Sequence, residues 1–172
     1  MSYPEDLVYP EPRYPGDKGE VNAVFRPAST PADISSPGGS THYLATNTST
    51  GGEYGFYKVD LAARAAGAKP HFHKAMSESF YILSGELELY DGDKWVTGRE
   101  GDFLYVPVGG LHGFKNVTDE PMSMLMLFSP GAPREEYFEQ VAEVARRGPE
   151  ELKRFRVRHD SYFVEDFEDG EA

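Results

Sequence analysis

The sequence predicts an all-β protein: an antiparallel barrel preceded by an extended N-terminal arm and followed by C-terminal α-helices. Three observations carry this expectation. From Thr41 to Ser129, short alternating or apolar runs are separated by turn residues, the spacing of an antiparallel barrel or sandwich. Inside that stretch Asp91-Gly92 stands between Leu87-Glu-Leu-Tyr90 and Lys94-Trp-Val96, and Asp-Gly supplies the positive backbone angles of a tight hairpin turn. Beyond Pro130 the apolar period changes from two toward that of a helix. At 172 residues, with 39% hydrophobic and 13% aromatic content, the chain has material for one sizeable core.

Residues 1 to about 40 are rich in Pro, Gly and Ser, with only short apolar pieces such as Ala23-Val-Phe25. They are expected to form an extended arm draped over the barrel or over a partner subunit. The barrel, 41–130, is expected to use strands over 41–47, 53–61, 70–74, 78–84, 86–90, 94–97, 102–106, 111–116 and 121–128. The run Met122-Ser-Met-Leu-Met-Leu-Phe128 is apolar on both faces, so its strand should be buried on both sides. In the helical segment, 131–160, Pro133 suits a first helical position, and Glu135 and Glu136 favour the positive end of the helix dipole. Tyr137, Phe138, Val141, Val144 and Ala145 fall on one stripe, and Gly148-Pro149 stops the helix before a second helical stretch over 149–156. Residues 161–172 read as a solvated acidic tail.

Charge and composition exclude several functions. A net charge of -12 argues against nucleic acid, which requires a basic face. The absence of cysteine removes disulfides and thiolate chemistry, so any metal must be held by nitrogen and oxygen. The start, Met1-Ser-Tyr-Pro-Glu-Asp-Leu7, has neither a basic cluster nor an apolar segment, and no run approaches membrane-spanning length. A cytoplasmic protein with no membrane partner is expected.

The chemistry concentrates in four residues. His71 and His73 flank Phe72, and residues two apart on a strand point to one face. Glu78 follows after Lys74-Ala-Met-Ser77 and opens the apolar run Ser79-Phe-Tyr-Ile-Leu83; His112 lies in Pro107-Val-Gly-Gly-Leu-His-Gly-Phe114, where a proline and glycines permit a tight turn. Folded together, these residues offer three imidazoles and a carboxylate to one divalent transition metal per chain. Nickel, cobalt, iron, manganese, copper and zinc all accept such donors, and five- or six-coordinate geometry leaves positions open for water, dioxygen or a chelating substrate. Strand parity sets Phe80 and Ile82 on the face of Glu78, and Phe114 on that of His112, giving an apolar, partly aromatic substrate pocket. No arginine or lysine alternates inward between these residues, so a flat hydrophobic substrate is expected rather than a small sugar or carboxylic acid. His42 and His159 read as ordinary structural histidines.

The spacings resemble the two motifs of the cupins. Gly101, Pro107, Gly109, His112 and Asn116 fill G-x5-P-x-G-x2-H-x3-N, and His71, His73, Glu78 and Gly85 fill H-x-H-x4-E-x6-G. One position departs: the glycine six residues before the first histidine is Ala65, with Gly67 two residues later. The resemblance covers roughly 53–130 and implies a double-stranded β-helix, or jelly roll. No second motif pair is found, so a single-domain monocupin is implied.

Within that superfamily, the ligand set and C-terminal helices are similar to those of bacterial quercetinase-like dioxygenases. This implies a flavonol or related aromatic enediol that coordinates the metal and is cleaved by O2 with loss of carbon monoxide. His71, His73 and His112 would hold the metal, and Glu78 would be both ligand and base. Two alternatives stay open: a cupin isomerase or cyclase acting on an aromatic polyketide-like substrate without O2, and a small-molecule-binding cupin without turnover. The C-terminal helices are expected either to cap the barrel mouth or to pack on its outer wall. Apolar outer strand faces and the long arm suggest a homodimer.

Overall fold

The computed structural model describes residues 10–167. The strands in chain order are β1 (Ile34–Ser36), β2 (Gly39–Ala45), β3 (Gly55–Leu61), β4 (His71–Phe72), β5 (Ser77–Ser84), β6 (Glu86–Tyr90), β7 (Trp95–Arg99), β8 (Phe103–Val106), β9 (Gly113–Lys115), β10 (Met122–Ser129) and, after two helices, β11 (Tyr162–Phe163). The helices are α1 (Arg134–Val144) and α2 (Pro149–Arg158). A six-stranded sheet in the order β1-β2-β3-β10-β5-β8 faces a three-stranded sheet in the order β7-β6-β9, the two layers of a jelly roll. Every expected strand has a counterpart, and β6 coincides with its expected 86–90.

Strand β10 lies between β3 and β5, with Met124 opposite Val59 on one side and Ile82 on the other. Its inward residues Met122, Met124, Met126 and Phe128 are buried, while Leu125 and Leu127 on the other face are half-buried. The apolar run is thus buried on one face, as expected, and only half-buried on the other. Tyr57, Phe80, Ile82, Leu87 and Leu89 complete the core between the layers. Asn116, 2% exposed, closes the loop before β10: its Nδ2 donates to the carbonyls of Ala62 and Glu120, and its Oδ1 accepts from the Thr118 N–H and hydroxyl. A buried amide whose capacity is met in this way fixes a loop without leaving an unpaired polar group.

The departure at Ala65 has a structural counterpart in Gly67. A Cβ at Gly67 would stand 2.1 Å from the carbonyl oxygen of Phe114, so the approach to β4 crosses the backbone of β9 at a point only glycine permits.

Two expectations are corrected at the ends of the barrel. The sheet begins inside the segment expected to be an arm: Ile34–Ser36 pairs antiparallel with Gly39–Thr41, a run too short to carry a legible period. The residues before it, 10–33, have no strand or helix and leave Val21, Val24 and Phe25 exposed. The expected acidic tail is also not a solvated segment throughout. Tyr162 and Phe163 pair with Phe72 and His71, Glu165 bridges Lys69 and Arg156, and Asp166 bridges Arg156. The apolar Tyr162 and Phe163 explain why: strand pairing buries Phe163 to 3% exposure. The parts of the arm and tail at 1–9 and 168–172 lie outside the described residues.

The helices fold back over the barrel mouth. The Tyr57 hydroxyl, on β3, donates to Glu135 at 2.6 Å, and that of Tyr43, on β2, to Glu139 at 3.2 Å. Phe138 sets its ring edge-on to Tyr57 at 5.1 Å. No helix among the described residues is long and apolar enough to cross a membrane.

Candidate metal centre

Four buried side chains meet at the mouth of the barrel. His71 lies on β4, His73 just beyond it, Glu78 on β5 and His112 just before β9; one ligand atom from each lies within 4.8 Å of the others. Their exposures run from 0% for His112 to 5% for His71. The backbone brings them together through short cross-connections. His71 and His112 exchange N–H···O bonds of 2.8 and 2.9 Å, and the Gly109 N–H donates to the His73 carbonyl at 2.7 Å. Gly109 has φ +81°, a conformation that favours glycine, and this turn ties the loop carrying His112 to the strand carrying the other two histidines.

Each imidazole is oriented from behind. The Nδ1–H groups of His71 and His112 face the carbonyls of Lys69 (2.8 Å) and Gly110 (3.0 Å), and that of His73 faces the carbonyl of Asp160. That arrangement leaves Nε2 as the atom directed at the centre. Nε2 of His73 and of His112 then stand 3.1 and 2.7 Å from the same oxygen of Glu78, Oε2. Both nitrogens of each ring thus face acceptors, which requires either two imidazolium ions beside one carboxylate in a buried site or a cation among the donors. The donor set fits a divalent metal on this ground, and every donor is a nitrogen or oxygen type suited to one.

Electrostatics point the same way. Burial acts to raise the Glu78 carboxyl, but hydrogen bonds from His112 and His73 outweigh it and hold the group below the ordinary carboxylate range. Burial, with His112 beside it, pulls His71 down to about 3, so its ring is neutral and its Nε2 lone pair is free.

A cavity of about 490 Å³ opens above His71 and Glu78, lined by Phe114, by Tyr137, Phe138 and Val141 of α1, by Leu152 and Arg156 of α2, and by Phe163 and Glu165. Of the expected pocket residues, Phe114 lines it. Phe80 and Ile82 share the face of Glu78 but lie beneath the site, 1% and 0% exposed, with Phe80 6.0 Å from the His112 ring and Ile82 against the second sheet at Gly98. Parity placed them correctly; depth along the strand closes them off. His42 pairs with Asp60 at 3.4 Å, and His159 packs on the rings of Phe155 and Tyr137, both away from the quartet.

Several residues of the site were not foreseen. Phe163 stacks on His71, ring centroids 4.6 Å apart and planes 9° from parallel. Asp160, besides facing His73 with its carbonyl, accepts from the N–H groups of Lys74 and Ala75 through its carboxylate. Arg134 and Arg156 reach the cavity from the helices, which overturns the expectation of a lining without cationic groups. Parity along the barrel strands had no bearing on residues supplied by α1 and α2.

Residues 57–128 match the Cupin domain family, and this stretch of the chain is a cupin domain. Among curated relatives it is 31% identical over 98 residues to the polyketide synthase protein CurC of Streptomyces cyaneus, covering 56% of this chain and 63% of that one. It is 27% identical over 124 residues to the tetracenomycin polyketide synthase protein TcmJ of Streptomyces glaucescens, covering 72% and 83%. The chain therefore spans less than two thirds of CurC and most of TcmJ. The solved structure of the polyketide cyclase RemF from Streptomyces resistomycificus superposes with a TM-score of 0.53 at 18% identity, over 64% of this chain and 82% of that one, a likeness of fold. The match to quercetin 2,3-dioxygenase of Bacillus subtilis is confined to 45 residues, 26% of this chain and 13% of that protein, at 31% identity.

Proposed function

We propose that this chain is a metal-dependent enzyme that cyclises or isomerises a flat, aromatic polyketide-like substrate at the His71, His73, Glu78 and His112 centre. The observation that carries the reading is the buried quartet, whose His71 and Glu78 line a cavity walled by Phe114, Tyr137, Phe138 and Phe163. CurC and TcmJ, both named as polyketide synthase proteins, support the substrate class. His71, His73, His112 and Glu78 would hold the metal, which supplies Lewis acidity toward negative charge developing on a substrate oxygen.

The protein's own part is to move a proton and exclude water. Both histidine contacts fall on Oε2 of Glu78, which leaves Oε1 to take a proton from an acidic C–H or hydroxyl of the substrate. The nucleophilic carbon of the resulting enolate or phenolate then bonds to a ketone carbon of the same molecule, and the ketone oxygen takes back the proton from Glu78. Aromatic walls hold the reacting atoms close, and α1 and α2 over the mouth keep bulk water from the enolate.

Dioxygenation of a flavonol or related enediol is the second reading, supported by the short match to quercetin 2,3-dioxygenase, and it shares the first proton transfer to Glu78. One experiment separates the two. The protein is loaded in turn with manganese, iron, cobalt, nickel, copper and zinc and given polyhydroxylated aromatic ketones and flavonols, with oxygen uptake and product mass recorded. A metal-dependent product isomeric with the substrate, or lighter by one water, without oxygen uptake is expected. Uptake of one O2 with release of carbon monoxide would transfer the assignment to the dioxygenase, and no metal-dependent conversion would sink both.

The same reading includes a homodimer. Val24 and Phe25 of the arm are 87% and 86% exposed, and Phe103 and Tyr105 on edge strand β8 are 63% and 58% exposed. Such apolar surface suits a second copy of the chain. Light scattering should give twice the chain mass, falling to one when residues 1–28 are removed; a monomeric full-length chain would end the proposal.

A further inference from the structure

The cavity carries two guanidinium groups that the proton transfer to Glu78 does not use. Arg134, the first residue of α1, is 3% exposed, and its Nη1 donates to the His159 carbonyl (2.6 Å) and the Ser161 hydroxyl (3.1 Å), not to a carboxylate. Its Nε–H is buried and has no hydrogen-bond partner among the described residues. The rings of Tyr137, Phe128 and Phe138 surround the guanidinium at 4.2, 5.1 and 5.6 Å. Arg156 of α2 also lines the cavity; it lies 3.7 Å over the Phe163 ring, and its Nε–H is likewise buried without a partner. Its charge is already met by Glu165 and Asp166.

A cation buried without a carboxylate in direct contact is costly, and aromatic faces return only part of that cost. Arg134 thus supplies the one cation lining the cavity that no carboxylate of the described residues pairs with, since Lys69 is bound to Glu165 and Arg156 to Glu165 and Asp166. The planar fork of a guanidinium matches a carboxylate, and one positive charge with no carboxylate in direct contact matches a monoanion better than a phosphate dianion.

We infer that Arg134 binds an ionised carboxylate on a flat aromatic substrate, so that the enzyme selects aromatic acids over their neutral analogues. This rests on the reading of the cavity above His71 and Glu78 as the substrate site. The carboxylate sits at the α1 side, the aromatic body lies along Phe114, Tyr137, Phe138 and Phe163, and the reacting end reaches the quartet. Arg134 is a specificity-determining residue and takes no part in the proton transfer.

The test is calorimetric binding of 2-naphthoate and 2-naphthamide, equal in size and differing in charge, to the full chain, both zinc-loaded and metal-free. The naphthoate is expected to bind about tenfold tighter or more in both forms, the advantage of a charge-assisted hydrogen bond. Arg134→Gln should bring the two ligands within about twofold, and Arg134→Lys should keep part of the preference. Because Arg134 also holds His159 and Ser161, a second measurement stands on the wild type alone: its Arg134 Nε–H resonance should shift with naphthoate and not with naphthamide. Equal affinities, no binding of either ligand, an unmoved resonance, or a preference retained by folded Arg134→Gln would overturn the inference. A preference that vanishes on metal removal would also overturn it, since the metal would then be the anion's partner. Failure of the metal centre itself reads differently: zinc would not bind, while the preference for naphthoate would persist.

Discussion

Replacing Glu78 with glutamine should leave the protein folded and able to bind a divalent metal, while turnover of its substrate falls by about 10²- to 10⁴-fold, the range of a lost general base. Glutamine keeps the shape of glutamate, and its amide donates where the carboxylate only accepts. In metal-free protein the amide N–H groups can therefore face the Nε2 lone pairs of His73 and His112, now 3.1 and 2.7 Å from Oε2, with both rings neutral. The melting temperature should change little, because the buried site exchanges one satisfied arrangement for another. Metal affinity should fall, since a neutral amide oxygen is a weaker donor than a carboxylate, but three imidazoles remain. The decisive quantity is kcat at saturating metal. Activity within a few-fold of wild type there would remove Glu78 as base and leave it a ligand only. The same variant separates the two proposed reactions from a binding role, for which metal-dependent ligand affinity would survive with no product in either protein.

The four residues of the quartet were legible in the sequence because their spacing is local. His71 and His73 share a strand face through a period of two, and Glu78 returns on the next strand after a short turn. Only His112 needed the fold, and its loop was marked by Pro107 and Gly109. The longer barrel strands, β2, β3, β5, β6, β7 and β10, were legible for the same reason, with each period written into five to eight consecutive residues. What escaped was either too short to carry a period or supplied from far along the chain. The strand of Tyr162 and Phe163 has two residues, inside what composition marks as acidic. Arg134 begins a helix whose apolar stripe predicts that it packs, but not on what. Its position between Pro133 and Glu135 resembles any charged first turn. The placement of Phe80 and Ile82 shows the complementary limit: alternation gives the face of a side chain but not its depth, and these two lie below the cavity that Phe114 lines.

Asp160 carries the second large effect. Its carbonyl faces Nδ1 of His73, its carboxylate accepts from the Lys74 N–H at 3.0 Å and the Ala75 N–H at 2.8 Å, and its backbone holds φ +53°. One residue at the end of α2 therefore fixes both the ring of His73 and the turn that follows it. Asparagine and glycine tolerate this conformation better than alanine does. Asp160→Asn keeps one acceptor oxygen and the backbone angle, and should cost least. Asp160→Gly keeps the angle and loses both side-chain bonds. Asp160→Ala loses the bonds and adds strain of about 1 kcal/mol or more, which pulls the carbonyl from His73. Loosening a partner that orients a ligand histidine costs about 10- to 100-fold in metal affinity, so zinc dissociation constants should rise in the order wild type, Asn, Gly, Ala. Thermal stability follows the same order if the contacts act only on folding, so the distinguishing measurement is zinc affinity at a temperature where all four proteins are fully folded. Equal affinities there would reduce Asp160 to a helix-end tie. A graded loss would show that α2 orients the centre as well as covering it, because the group that aims His73 belongs to the segment that closes the mouth.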